Sequence, residues 1–99
     1  MAVRVGLLAR FMAKPGKEEA VADFLRDARP LAQAEPGMAA WFALQLGPRE
    51  FGIFDAFPDH TARWAHLDGE IAKALMAIST DLLVEAPRID KIDVLAAKL

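Results

Sequence analysis

Between Met38 and Phe57 two strand-length runs, Met38–Leu46 (MAAWFALQL) and Phe51–Phe57 (FGIFDAF), contain one charged residue, Asp55. Gly47-Pro48-Arg49-Glu50 between them reads as a turn, so the two runs form a hairpin. An antiparallel sheet with one wet face alternates apolar and polar residues. Here Trp41, Ala43 and Gln45 lie on one side of the first strand, with Phe42, Leu44 and Leu46 on the other. The second strand sets Phe51, Ile53 and Phe57 against Gly52, Phe54 and Ala56. Both faces are apolar, and helices can cover only one of them. The other is expected to be an interface or to line a ligand cavity. Two such sheets facing each other about a two-fold axis, in a homodimer, satisfy that demand.

The remaining segments supply the rest of the sheet and its cover. Val3, Val5, Leu7, Ala9 and Phe11 recur at period two, the pattern of a strand with one wholly apolar face. After the turn at Pro15-Gly16, Lys17 to Glu35 reads as a helix with Val21, Phe24, Leu25, Ala28 and Ala32 on one side. Pro30 should kink or split it, and Pro36-Gly37 should end it. Asp59 is a candidate N-cap for a second helical region whose bulky residues are Trp64, Leu67, Ile71, Leu75 and Ile78. Asp68-Gly69 is a possible break in that region, and Ser79–Glu85 reads as a further helical turn. Ile89–Leu99 reads as a last strand with a bulge. The order β-α-β-β-α-β predicts one α+β domain over residues 1–99: a ferredoxin-like unit with an antiparallel four-stranded sheet, paired into a dimeric α+β barrel.

Composition narrows the function. Twelve basic and fourteen acidic residues give a net charge of −2, mixed along the chain, with no basic stripe of the kind nucleic-acid binding requires. There is no cysteine, which excludes disulfides, thiolate metal sites and a cysteine nucleophile. The first eight residues lack a long apolar core and a cleavage site, so no signal peptide is expected. No apolar run approaches the roughly 18 residues of a membrane span. A cytoplasmic protein bound to neither membrane nor nucleic acid is expected. The apolar content, 55%, exceeds the roughly 45–50% typical of soluble domains, which fits apolar surface buried between chains.

Few residues here carry chemistry. His60 and His66 would point roughly 240° apart on one helix, which argues against their sharing a metal ion, and no metal is expected. Asp55 is a carboxylate inside an apolar strand, costly there unless paired or wet. It is either a solvated rim residue or a polar group facing an enclosed cavity, where His66 could bond to it. On an unbroken helix His66 falls off the Trp64-Leu67-Ile71 stripe, whereas a break at Asp68-Gly69 would let Ala62 and His66 face the sheet. Lys14-Pro15-Gly16-Lys17 lacks phosphate-loop spacing and reads as a turn.

The chain resembles the antibiotic biosynthesis monooxygenase family, small dimeric α+β barrels. The likeness rests on the opening strand leading into Lys14-Pro15-Gly16-Lys17, on Glu35-Pro36-Gly37, and on Asp55 followed by the Asp59, Ala62, His66 run. It implies a cofactor-free oxygenase acting on a quinol- or anthrone-like aromatic held between sheet and helices. Asp55 and His66 would be its acid/base groups, and Leu8, Phe51, Phe57 and Trp64 would contact the substrate. A tyrosine role found in one branch has no counterpart, because the chain has no tyrosine. The haem-degrading branch uses an Asn and a His where Leu8 and Met76 stand, so haem cleavage is not expected. The alternative is a non-catalytic dimer of the same fold that binds a hydrophobic small molecule or serves as a scaffold.

Overall fold

In the computed structural model, which describes residues 3–99, four strands form one antiparallel sheet in the order β2-β3-β1-β4. The elements run β1 (Val5–Met12), α1 (Glu18–Asp27), α2 (Arg29–Ala34), β2 (Ala40–Gln45), β3 (Glu50–Phe57), α3 (His60–Leu67), α4 (Glu70–Leu82) and β4 (Arg88–Asp93). This is the expected ferredoxin-like α+β arrangement, each predicted helical region being two helices.

Both splits follow from local chemistry. Pro30 has no N–H to bond back into a helix, so α1 stops at Asp27 and Pro30 sits in the first turn of α2, where that N–H is not needed. Asp68-Gly69 separates α3 from α4, with Gly69 at the N-cap of α4. Asp59 caps α3 as expected, its Oδ1 accepting from the Ala62 N–H at 2.8 Å. Two expectations fail. Ser79–Leu82 is the end of α4 rather than a separate turn. β4 stops at Asp93 and pairs with β1 in continuous register, Arg10 with Arg88 through Val5 with Asp93, so it has no bulge.

Register decides which side chains are buried. β1 and β3 pair Val5 with Phe57, Leu7 with Asp55, Ala9 with Ile53 and Phe11 with Phe51, and all eight lie buried beneath the helices. Val21 and Leu25 of α1 and Ile71 and Leu75 of α4 close over this face. Burying a side chain of this size contributes about 1.5–3 kcal/mol. The core forms two clusters. One is built around Phe11, Phe51, Ile53 and Leu75, the other around Val5, Leu7 and Phe57. Asp55 lies on β3 between Ile53 and Phe57, where the two clusters meet.

The opposite face of the sheet carries no helix. Leu8 and Phe54 are register partners there, as are Phe54 and Phe42 on the other side, and the two phenyl rings stack at 6.2 Å. Phe42 is 51% exposed, and Met12 and Leu46 are also exposed large apolar residues. Among the described residues no helix is long and apolar enough to cross a membrane.

Candidate active site

Asp55 reaches its position by strand alternation alone: it shares its face with Ile53 and Phe57 and is 2% exposed. Its charge must therefore be answered from the helices. Helix α3 does this. Its eight residues turn Arg63 and His66 inward, with Ala62 beside them, and leave Trp64 outside. The imidazole Nε2 lies 3.1 Å from Asp55 Oδ2, and Nδ1 donates to Glu35 Oε2 at 2.6 Å. Phe57 backs the ring, with centroids 5.2 Å apart.

Glu35, Asp55 and His66 thus form a carboxylate–imidazole–carboxylate chain. A neutral imidazole has one N–H, so it can donate to only one of the two acids, whereas the imidazolium can donate to both. Burial alone pushes the His66 pKa down. Asp55, and then Glu35, raise it by hydrogen bonding and charge, and the net result lies above the ordinary 6.5. One acceptor remains free: Asp55 Oδ1 is buried without a partner.

That acceptor belongs to a side chain on the wall of a cavity of about 230 Å³. Asp55 and His66 are the polar side chains of its lining, and Leu7, Ile53, Leu67, Ile71, Leu75 and Met76 supply most of the rest. An apolar void with two convergent polar groups is the usual form of a small-molecule site. Among the described residues no group of three or more His, Cys, Asp or Glu side chains is placed to hold a metal ion.

The other expected contact residues lie elsewhere. Trp64 is 66% exposed and sits under the Lys91 ammonium, 5.4 Å from the ring centroid. Leu8 faces the uncovered side of the sheet with Phe54. Phe51 is fully buried in the core around Phe11, away from the cavity. Phe57 touches His66 from behind and does not line the cavity wall. None of these four side chains lines the cavity that holds Asp55 and His66. The expectations for Leu8 and Trp64 came from the resemblance and from side-chain bulk, neither of which reports which way a strand or a short helix is turned.

Two residues were missed. Glu35 reads in the sequence as the end of a helix and as part of the Glu35-Pro36-Gly37 motif, with no chemical role, although an acid there opposes the negative end of the helix dipole and so signals another use. Arg63 carried no signal at all. Its Nη1 donates to the carbonyls of Gly6 and Ile92 at 3.3 and 3.2 Å, and its Nη2 to His60 Nδ1 at 3.1 Å, pinning α3 to the β1–β4 pair. Trp41, the register partner of Asp55, holds its indole N–H buried without an acceptor.

No family model and no curated protein matches the chain. Among solved structures, a Nitrosomonas europaea protein of unknown function, NE2512, is 55% identical. The match covers 99% of this chain and 95% of that one, with a TM-score of 0.96. A second Nitrosomonas europaea protein, provisionally assigned as an antibiotic biosynthesis monooxygenase, is 19% identical over 93% of this chain and 99% of its own, with a TM-score of 0.81. A Chloroflexus aurantiacus protein with the same provisional assignment is 18% identical over 96% of each chain, with a TM-score of 0.73. The chain belongs to the family of the Nitrosomonas europaea NE2512 protein, and its fold is that of the antibiotic biosynthesis monooxygenases.

Proposed function

We propose that this protein is a cofactor-independent oxygenase that removes a proton from an electron-rich hydroxylated aromatic, of quinol or anthrone type, and lets the resulting anion react with O₂. The observation that carries the reading is Asp55 on the wall of an apolar cavity, with Oδ1 unpartnered and Oδ2 3.1 Å from the His66 imidazole, whose pKa is raised. A bound hydroxyl would donate to that oxygen, and His66 would stabilise the carboxylate through Oδ2. In a dry site fixed charges act on a developing anion more strongly than water does. The anion gives an electron to O₂, the radical pair combines to a peroxide anion, and that anion takes a proton back from Asp55 to give the hydroperoxide. Loss of water then leaves one oxygen atom in the product and one in the water, with all electrons supplied by the substrate. The cavity is smaller than the roughly 300–1,000 Å³ of drug-sized ligand sites, which favours a one- or two-ring quinol over a three-ring anthrone.

In the same reading the functional unit is a homodimer. The exposed Phe42, Met12 and Leu46, with Phe54 and Leu8 among them, form the apolar face a second copy would cover.

Oxygen uptake by metal-free protein with reduced naphthoquinones and anthrones tests the chemistry. Uptake above the buffer rate is expected, and Asp55→Asn should lower it by about 10²–10⁴-fold, the usual contribution of a positioned base. No turnover across the panel, or an unaffected Asp55→Asn variant, would overturn the proposal.

A further inference from the structure

The carboxylate–imidazole chain joins two separate voids. Asp55 and His66 line the apolar cavity, but Glu35 does not. It borders a second, open groove of about 540 Å³ between α2 and the edge strand β2, alongside Arg29, Gln33 and Trp41. Exposure rises along the chain: the side chains of Asp55, His66 and Glu35 are 2%, 7% and 19% exposed. Space for Glu35 is provided by Gly69, where a Cβ would fall 2.7 Å from Glu35 Oε1 and 3.1 Å from the His66 carbonyl oxygen. Gly69 has φ −83°, which any residue adopts, so the fit requires the missing side chain and not unusual backbone freedom.

We infer that Glu35 is the solvent end of a proton path that runs from the cavity through Asp55 and His66 to the groove beside α2. The inference rests on the reading of the cavity as a site of proton removal. At rest the imidazolium holds Nε2–H toward Asp55 and Nδ1–H toward Glu35. Asp55 Oδ1 takes the proton of the bound hydroxyl, and the electron pair of the broken O–H bond stays on the substrate oxygen. His66 passes its Nδ1 proton to Glu35 Oε2, and Glu35 releases a proton to water in the groove. One proton enters the chain and one leaves, so the net charge of the three groups is unchanged. The substrate anion then faces a neutral acid in place of a carboxylate. The charged and titratable groups around His66 are Asp55 from β3, Glu35 after α2, and Arg63 one turn earlier on α3. Arg63 is directed to the Gly6 and Ile92 carbonyls and to His60. Glu35 acts through His66 and is therefore a positioning and relay residue.

The test is ¹⁵N NMR of the histidine rings in the full chain during titration with 4-nitrophenol, whose ionisation is read from its absorbance. His60 serves as the internal reference. In the wild type, as the probe ionises in the cavity, His66 should pass from the doubly protonated ring to the neutral ring protonated on Nε2 alone. Glu35→Gln keeps an acceptor for Nδ1 but cannot take the proton. At equilibrium the loss of the Glu35 charge only eases deprotonation of the ring, so the relay is read from the rate: in stopped-flow absorbance the bound probe should ionise about tenfold or more slowly in Glu35→Gln. Gly69→Ala displaces the carboxylate without changing any charge and should slow the ionisation in the same way. A wild-type His66 that stays doubly protonated while the probe ionises would overturn the path, as would an equal rate of probe ionisation in Glu35→Gln. A probe that leaves the His66 signals and its own absorbance unmoved would instead sink the cavity reading, and the path with it.

Discussion

Replacing His66 by Leu keeps the volume of the site nearly constant while removing the partner of two acids. Asp55 bears the loss. One of its oxygens has no partner to begin with, and the other loses Nε2 at 3.1 Å, all at 2% exposure. Breaking a buried pair from one side costs about 3–5 kcal/mol. That is a large share of the roughly 5–15 kcal/mol that holds a domain folded. Glu35 is cushioned, because its 19% exposure lets it turn to water in the groove. The double variant Asp55→Leu/His66→Leu removes the stranded charge and should lie within about 1–2 kcal/mol of wild type, since apolar replacement of a buried pair is often neutral or better. Urea unfolding at mildly acidic pH, with the slope m held constant, reads both values from the midpoints. A His66→Leu loss below about 1 kcal/mol, or a double variant as unstable as the single, would refute the claim that Asp55 depends on His66.

The pH dependence has a definite sign. The His66 pKa is raised above 6.5 in the folded protein, so its stabilising contribution is fully present below about 6.5 and is lost as pH rises through the folded value. Urea midpoints should therefore fall from mildly acidic to alkaline pH, and this decline should flatten in His66→Leu. Gly69→Ala should cost about 1–3 kcal/mol, the usual penalty for forcing atoms into a filled site, because the new Cβ meets the Glu35 carboxylate and the His66 carbonyl; thermal unfolding checks it. Phe42→Lys on the uncovered sheet face should convert the protein to a monomer in sedimentation at micromolar concentration without lowering helix content. A wild type that is itself monomeric would refute the dimer.

Much of the fold was legible because it depends on local rules. Period-two burial in β1, the Pro30 and Asp68-Gly69 breaks and the Asp59 cap each follow from a few neighbouring residues. The end of β4 was misread because Val94 and Leu95 continue an apolar pattern that pairing with β1 does not need: Val94 makes one bond to the Arg4 carbonyl, and Leu95 is exposed. In the site, Asp55 stood out as an acid in an apolar strand. His66 was visible only if α3 ended where it does, since the orientation of an eight-residue helix is set by what it meets. Trp64 shows the limit of reasoning from bulk. Its ring lies outside, while Arg63 and His66 turn inward to answer carbonyls and carboxylates that no sequence period reports. Glu35 is 31 residues from His66, a separation no local pattern spans.

The central claim is that Asp55 receives the proton of a hydroxylated aromatic held in the cavity beneath α4. A crystal structure of the protein with a reduced naphthoquinone analogue, grown without oxygen, tests it most directly. The account predicts the ring against Ile53, Ile71 and Leu75, with its hydroxyl oxygen about 2.5–2.7 Å from Asp55 Oδ1, the distance of a charge-assisted bond. A ligand seated in the groove by Arg29 and Trp41, or in the cavity with its hydroxyl turned away from Asp55, would contradict it.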